Sequence, residues 1–139
     1  MNNDFLISTD SNLLDKEYVI EYLSKESYWA KGRSHDRILK AIDNSLCFGV
    51  YLNKKQIGFA RIVTDFGVFA WIMDVFIDPK VQGKGYGKSL MNEISNHESL
   101  QTISRWGLNT LDAQGLYEQF GFIKLDNPDI YMEKLIKQE

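Results

Sequence analysis

The chain has 139 residues, of which 44% are apolar and 25% are charged, and its formal net charge is −3. This length and composition predict one domain over residues 1–139 and exclude a wholly disordered chain. The acidic balance argues against nonspecific binding to nucleic acid or to an anionic membrane. The single cysteine, Cys47, excludes an internal disulfide, and the two histidines, His35 and His97, lack metal-ligand spacing, so we expect no metal.

The hydrophobic pattern predicts a protein without a membrane segment. No apolar run approaches the roughly 20 residues that cross a bilayer. The first residues are polar and contain no apolar signal region. We therefore expect a cytoplasmic protein with no membrane partner.

The first half of the chain is predicted to contain three strands and two helices. Apolar residues recur at helical spacing in residues 15–25 and again after Ser34, which is a good helix N-cap. Apolar and polar residues alternate in residues 45–52, as in a strand with one buried face. The predicted order is a strand at 5–8, a helix at 15–25, a helix after Ser34, and hairpin strands at 45–52 and 57–64.

The second half is predicted to alternate strands with helices. Residues 68–77 are apolar on both faces, which is typical of a central strand. A helix at 85–96 and a strand at 104–110 follow, and the two strands are expected to be parallel because a helix connects them. Residues 112–121 predict a short helix with Asp112 as N-cap and Gly121 just beyond its end. A last strand is predicted within 130–135, which completes an α+β fold with a mixed sheet.

A glycine-rich turn, residues 82–88, follows the central strand and begins a helix. Its three glycines allow a ligand to approach the backbone closely, and the helix N-terminus adds partial positive charge. Lys80, Lys84 and Lys88 add three cations. These features predict a phosphate or pyrophosphate site, and the alternative is a tight strand-to-helix connection without a ligand.

Two familiar phosphate-binding motifs do not fit this turn. A P-loop would require glycine at position 82, where this chain has Gln82. A dinucleotide-binding motif would require glycine at position 88, which is Lys88. A nucleotide-binding protein of the P-loop kind is therefore the weaker hypothesis.

The spacing of Gln82, Gly85 and Gly87 resembles the acyl-CoA pyrophosphate signature of the Gcn5-related N-acetyltransferase (GNAT) superfamily. A second segment at residues 115–122, GLYEQFGF, resembles another motif of this family, and the predicted order of elements is similar over nearly the whole chain. The resemblance implies a mostly antiparallel, twisted sheet with one splayed parallel strand pair, flanked by about four helices.

The family resemblance also implies an activity and a cofactor site. We expect acetyl-CoA as co-substrate and direct transfer of its acetyl group to an amine of a small molecule or peptide, in a monomer or homodimer. The alternative is a catalytically inactive domain that senses acyl-CoA or acts as a scaffold. A bulge in the first splayed strand would expose backbone groups to the pantetheine arm and to the developing oxyanion. The positions implied in cofactor binding are Val75, Phe76, Ile77, Gln82, Gly83, Lys84, Gly85, Tyr86, Gly87, Lys88 and Asn109.

The same resemblance assigns catalytic roles to two residues. Tyr117 matches the tyrosine that protonates the departing CoA thiolate as general acid, although its apolar spacing also suits a core tyrosine. Asp74 is the one charged residue in residues 68–77. It is a candidate general base, and the alternative is an aspartate with a structural role.

The acceptor amine is expected to bind near the loop between the first two helices. There Tyr28 and Trp29 can form an apolar or cation-binding wall, or can cover the edge of the core. Arg33, or Lys31, would favour an acceptor that carries a carboxylate.

Overall fold

The structure is a computed structural model that describes residues 4–137. It contains five strands and four α-helices. The strands are β1 (Phe5–Ser8), β2 (Leu46–Leu52), β3 (Lys55–Thr64), β4 (Phe69–Ile77) and β5 (Arg105–Gly107). The helices are α1 (Lys16–Glu21), α2 (His35–Asp43), α3 (Tyr86–Asn96) and α4 (Gln114–Glu118).

The five strands form one mixed sheet in the order β1-β2-β3-β4-β5. The first three neighbouring pairs are antiparallel, whereas β4 and β5 are parallel. The parallel pairing covers three positions and ends where Trp71 lies beside Gly107. The predicted α+β fold with one parallel strand pair is therefore confirmed, and β5 is shorter than predicted because residues 108–110 have already separated from β4.

Helices cover both faces of the sheet and bury two apolar clusters. On one face, Leu90, Met91 and Ile94 of α3 pack against inward residues of β2, β3 and β4. On the other face, Val19 of α1 and Ile38 of α2 belong to a second buried cluster. Burying both faces explains why the central strands are apolar on both sides.

Local hydrogen bonds set where the first two helices begin and how they are connected. The side chain of Ser34 caps α2, as expected from the sequence, and the side chain of Asp15 caps α1. After α1 the chain continues into a π-helical turn, in which Ser27 N donates to Tyr22 O at 2.9 Å. The hydroxyl of Ser27 then accepts from Ala30 N at 3.1 Å. These bonds fix the loop that carries Tyr28 and Trp29.

Two predictions for the C-terminal part are wrong. Helix α4 is shorter than predicted, and its N-terminal side is stabilised by Thr110, whose hydroxyl accepts from Ala113 N at 3.0 Å, so Asp112 is not the N-cap. The strand within 130–135 does not form, because those residues lie beside no other strand of the described chain. Residues Pro128–Ile130 form one turn of 3₁₀ helix instead.

Residues 4–137 contain no helix that is both long enough and apolar enough to cross a membrane.

Candidate active site

A cleft of about 660 Å³ opens where β4 and β5 diverge. The divergence begins at Gly107, over which the ring of Trp71 lies. A Cβ atom at position 107 would come within 2.5 Å of Trp71 Cε3, so glycine is required for this close approach. Beyond Trp71, the β5-facing edge of β4 has no strand partner among the described residues, and its peptide groups open onto the cleft.

A β-bulge interrupts β4 beside the cleft. Phe59 of β3 pairs with Phe76 and Arg61 pairs with Met73, so that one β3 residue, Ala60, faces two residues of β4. One of these two is Asp74, whose φ of 55° lies in the left-handed region. The bulge expected from the family resemblance is therefore present.

The glycine-rich turn closes the other end of the cleft. Gly83 and Gly85 have φ values of 81° and 84°, and a Cβ atom on either would meet no atom within 4 Å. Glycine is thus favoured there by the backbone conformation and not by lack of space. Gly85 is also the N-cap of α3, and the N–H groups of residues 83–88 have no hydrogen-bond acceptor among the described residues.

The side chain of Gln82 connects this turn to the sheet. Its Nε2 donates to the carbonyl of Ile77, the last residue of β4, at 2.9 Å. The amide of Gln82 therefore fixes the position of the turn. Lys84 and Lys88 are exposed and do not line the cleft itself.

Asp74 lies at the centre of a buried polar cluster, and only 1% of its side chain is exposed. Its Oδ2 accepts from Arg61 Nε at 2.9 Å and from Arg33 Nη1 at 3.1 Å. Its Oδ1 accepts from the indole Nε1 of Trp29 at 2.8 Å. One carboxylate thus holds residues from β3 and from the loop after α1 at the edge of the cleft.

The cluster is electropositive, because two guanidinium groups face one carboxylate. The guanidinium of Arg61 also donates to the hydroxyl of Ser45 at 3.1 Å. Arg33 bonds to Asp74 through Nη1, and its other N–H groups have no partner among the described residues. Arg33 lines the cleft, whereas Lys31 is exposed.

Tyr117 of α4 lies on the cleft wall with 8% of its surface exposed. Its ring packs edge-on against Phe122, with 5.9 Å between ring centroids. Burial raises the pKa of Tyr117 above its ordinary value, and the nearby Tyr28 and Asp112 raise this pKa further. Because this pKa is raised, the phenol is protonated at neutral pH, and its hydroxyl makes no hydrogen bond with another described residue, so it is free to donate.

The cleft brings together fourteen of the sixteen site residues predicted from the sequence. They are Tyr28, Trp29, Arg33, Asp74, Val75, Phe76, Ile77, Gln82, Gly83, Gly85, Tyr86, Gly87, Asn109 and Tyr117. Lys84 and Lys88 are the exceptions. Trp71 on the cleft wall and Arg61 bonded to Asp74 are not predicted from the sequence, and Asp112, predicted as a helix cap, lines the cleft.

Other titratable groups do not suggest a different chemistry. Cys47 lies outside the cleft, and burial raises the pKa of its thiol to about 11. A thiol with this pKa is mostly protonated and is a poor nucleophile at neutral pH. Residues 4–137 contain no group of three or more His, Cys, Asp or Glu side chains that could hold a metal ion.

Comparison with known proteins identifies the class. A family model described as an acetyltransferase (GNAT) domain matches residues 43–124, which is more than half of the chain. An uncharacterized N-acetyltransferase, ycf52 of Pyropia yezoensis, is 31% identical over 137 residues, an alignment that covers 91% of this chain and 73% of ycf52. The chain therefore belongs to the GNAT family of acetyltransferases.

Two solved structures are similar to this chain. The crystal structure of a GNAT-family protein from Xanthomonas campestris superposes with a TM-score of 0.92 at 39% identity, covering 95% of this chain and 93% of that one. A Clostridium acetobutylicum protein whose structure includes acetyl-CoA superposes with a TM-score of 0.68 at 14% identity, covering 96% of each chain. The second likeness concerns the fold alone.

The buried position of Asp74 leads to a stability prediction. Replacing Asp74 with Asn should lower the free energy of unfolding by about 3–5 kcal/mol, because two guanidinium groups then lose their counter-ion in a buried place. Urea unfolding measures this change. The matched control is Asp43→Asn, which removes an exposed ion pair with Lys16 and should cost at most about 1 kcal/mol. Equal losses in both variants would contradict the central role of Asp74.

Proposed function

We propose that this acetyltransferase transfers the acetyl group of acetyl-CoA to a primary amine of a small molecule or peptide. The observation that carries the proposal is a single cleft with the glycine-rich turn at one end and a protonated tyrosine on its wall. Bound acetyl-CoA would supply an activated thioester. The residues of the chain bind it, orient the acceptor and supply a proton.

The glycine-rich turn fits a pyrophosphate. Its N–H groups lack internal acceptors, they lie at the N-terminus of α3, and no side chain at positions 83 or 85 obstructs them. Lys84 and Lys88 are close enough in sequence to add positive charge from the solvent side. The Clostridium acetobutylicum protein of similar fold has a structure with acetyl-CoA, which supports the proposed choice of ligand.

The bulged strand would hold the pantetheine arm and the acetyl group. Val75, Phe76 and Ile77 line the cleft on the edge of β4 that lacks a strand partner. Peptide groups that this edge leaves without a partner would suit a ligand that carries amides of its own. An N–H from Val75 or Phe76 would donate to the thioester carbonyl and stabilise negative charge on its oxygen. Asn109 faces them from the diverging chain after β5.

Tyr117 would act as general acid toward the departing thiolate. Its raised pKa keeps the phenol protonated, and its hydroxyl makes no hydrogen bond with another described residue. A thiolate is basic enough to accept a proton from a phenol.

Asp74 is better suited to positioning than to proton abstraction. The sequence leaves both roles open, but both carboxylate oxygens already accept hydrogen bonds from Trp29, Arg33 or Arg61. Taking a proton would weaken these bonds. We therefore assign to Asp74 the placement of Trp29 and Arg33 beside the acceptor, and the general base stays unassigned.

The acceptor would bind between the loop after α1 and the acetyl group. The walls there are the rings of Tyr28 and Trp29 together with Arg33. Because Arg33 retains free N–H groups in an electropositive cluster, the proposed acceptor carries a carboxylate in addition to its amine.

The activity is tested by incubating the protein with acetyl-CoA and a panel of amines while following free CoA thiol. The panel contains amino acids, polyamines, arylamines and peptides. We expect thiol release with at least one amine, together with stoichiometric acetylation of that amine by mass spectrometry. Binding of acetyl-CoA without thiol release by any amine would support the inactive acyl-CoA sensor instead.

Replacing Tyr117 with Phe should lower kcat by about a hundredfold or more while leaving acetyl-CoA affinity nearly unchanged, because the variant lacks only the proton donor. Tyr51→Phe is the control, since Tyr51 is a buried tyrosine outside the cleft.

The pH dependence provides a second test of Tyr117. The pKa of Tyr117 is raised above 10.0, so the protonated acid persists up to that pH and is lost as the pH rises further. The wild-type rate should therefore fall only above pH 10, and this fall should be missing in Tyr117→Phe. A Tyr117-dependent fall near neutral pH would contradict the assignment.

Replacing Gly85 with Ala should weaken acetyl-CoA binding about tenfold, because a left-handed alanine costs about 1–2 kcal/mol and displaces the N–H groups of the turn. Calorimetric titration with acetyl-CoA measures the effect. Gly115→Ala is the matched control, because Gly115 has open space and lacks a positive φ. Equal losses would indicate that the turn does not hold the ligand.

Replacing Arg33 with Gln should raise KM about tenfold for amines that carry a carboxylate and should change it little for amines that do not. The exposed neighbour variant Lys31→Gln should affect neither group. If both groups of amines are affected equally by Arg33→Gln, the arginine supports the Asp74 cluster and does not select the acceptor.

A further inference from the structure

Helices α1 and α2 leave part of one sheet face uncovered. On β3, Phe59 and Val63 point to the same face because they are four residues apart. Phe59 is buried in the second apolar cluster together with residues of these helices, whereas Val63 is 38% exposed. Trp71 of β4 lies beside Val63, and Phe69, also 38% exposed, precedes Trp71 by two residues on the same face. Val63, Phe69 and Trp71, here called the shelf, belong to neither buried cluster.

Contacts on two sides hold the rings of the shelf in place. The ring of Phe69 stacks on that of Trp71, with 6.4 Å between the ring centroids and 20° between the ring planes. The ring of Trp71 also lies directly over the backbone of Gly107 on the neighbouring strand. The shelf therefore presents a fixed apolar surface to the solvent. A contiguous exposed apolar surface of this kind marks a binding site.

The shelf is continuous with the half of the cleft that is proposed to bind the acceptor. Trp71 belongs to the shelf and also lines the cleft. Between Trp71 and Asp74 lies Met73, whose sulfur accepts from Arg61 Nη2 at 3.3 Å. The shelf thus begins beside the Asp74 cluster. An acceptor with its amine next to Arg33 would meet the shelf with the rest of its length.

We propose that the acceptor is a peptide that places its N-terminal amine in the cleft and lies extended along the shelf, with apolar side chains against Val63, Phe69 and Trp71. This inference rests on the proposed acetyl transfer. In that transfer the amine nitrogen bonds to the acetyl carbon while the carbon–sulfur bond of acetyl-CoA breaks. The amine loses one proton and the CoA sulfur gains one.

The length of the shelf favours a peptide over a free amino acid. A strand rises about 3.3 Å per residue, so about 16 Å separate Phe69 from Asp74 along β4. A single amino acid held beside Arg33 is too short to reach from the Asp74 cluster to Phe69. About five residues of an extended peptide span this distance.

The charge at the far end of the shelf suits an acidic residue of the peptide. Arg105 is exposed, pairs with Phe69 across the parallel strands, and forms no ion pair within residues 4–137. The carboxylate of the adjoining hairpin, Asp65, is used within its own turn, where Oδ1 accepts from Gly67 N at 2.8 Å and from Val68 N at 2.9 Å. An exposed ion pair contributes little to affinity, so we expect the apolar contacts to provide most of it.

The first test measures binding without transfer, by calorimetric titration of the CoA-loaded protein with two hexapeptides. Both peptides have alanine first and glutamate second and last. One has leucine at its third, fourth and fifth positions, and the other has serine there. The leucine peptide should bind at least about tenfold more tightly, because its side chains leave water when they contact the shelf. Equal affinities, or no binding of either peptide, would overturn the proposal.

A shelf variant and a matched control locate the binding. Val63→Asp should weaken binding of the leucine peptide about tenfold and should leave binding of the serine peptide nearly unchanged, because the charge disrupts only the apolar contact. Leu13→Asp adds the same charge at another exposed apolar residue and should change neither affinity. Affinity for CoA checks that Val63→Asp is folded, and Val63→Ser is the milder variant if it is not. A shelf variant that binds the leucine peptide as well as the wild type does contradicts the proposal.

Light scattering and turnover separate the other outcomes. A wild-type dimer that Val63→Asp dissociates, without binding of the leucine peptide, would assign the shelf to a second copy of this chain and overturn the proposal. Selective binding of the leucine peptide without thiol release from acetyl-CoA would support the shelf as a peptide site and contradict the proposed transfer. Thiol release with other amines, but no selective binding of the leucine peptide, would do the reverse.

Discussion

The arrangement of the cleft depends on the hydrogen bonds that the buried carboxylate of Asp74 accepts. It lies in a β-bulge with positive φ, and it accepts from side chains of β3 and of the loop after α1. A buried carboxylate is costly without partners, so the cluster has to form as a unit. Forming it fixes the bulge, and the bulge in turn directs the backbone of Val75–Ile77 to the cleft. One interaction therefore links the wall proposed to bind the acceptor to the strand proposed to hold the acetyl group.

Local charge and net charge have different consequences in this protein. The net charge of −3 disfavours a polyanion spread over the surface. It does not oppose a compact anion held by backbone N–H groups, because those groups contribute no formal charge. The electropositive cluster of Arg33 and Arg61 with Asp74 lies at the other end of the cleft, and the net charge of the chain does not reveal it either.

Much of the fold and of the site could be predicted from the sequence because the signals are local. Ser34 is a helix cap that acts over three residues, and the glycine spacing of residues 82–88 specifies a turn. The polar cluster could not be predicted, because Arg61 and Trp29 meet Asp74 only after the sheet and the helices have packed. The prediction of a last strand was wrong for a related reason. Strand-forming residues favour an extended backbone, but they do not specify the neighbouring strand with which that backbone pairs. The prediction of Asp112 as the N-cap of α4 was wrong because the hydroxyl of Thr110 accepts the hydrogen bond that an aspartate usually accepts there.

The hydrogen bond from Gln82 to the carbonyl of Ile77 has a consequence for how the protein can be altered. The glutamine side chain anchors the turn, so the ligand proposed for the turn would be held by main-chain groups, which every amino acid possesses. The proposed binding would therefore depend on the backbone conformation at Gly83 and Gly85 and would tolerate exchange among the exposed side chains around them. The loop with Tyr28 and Trp29 is a separate segment of the chain. Libraries that randomise Tyr28, which makes no hydrogen bond to Asp74, can therefore search for new acceptors of the proposed transfer while the Asp74 cluster and the glycine-rich turn are left intact.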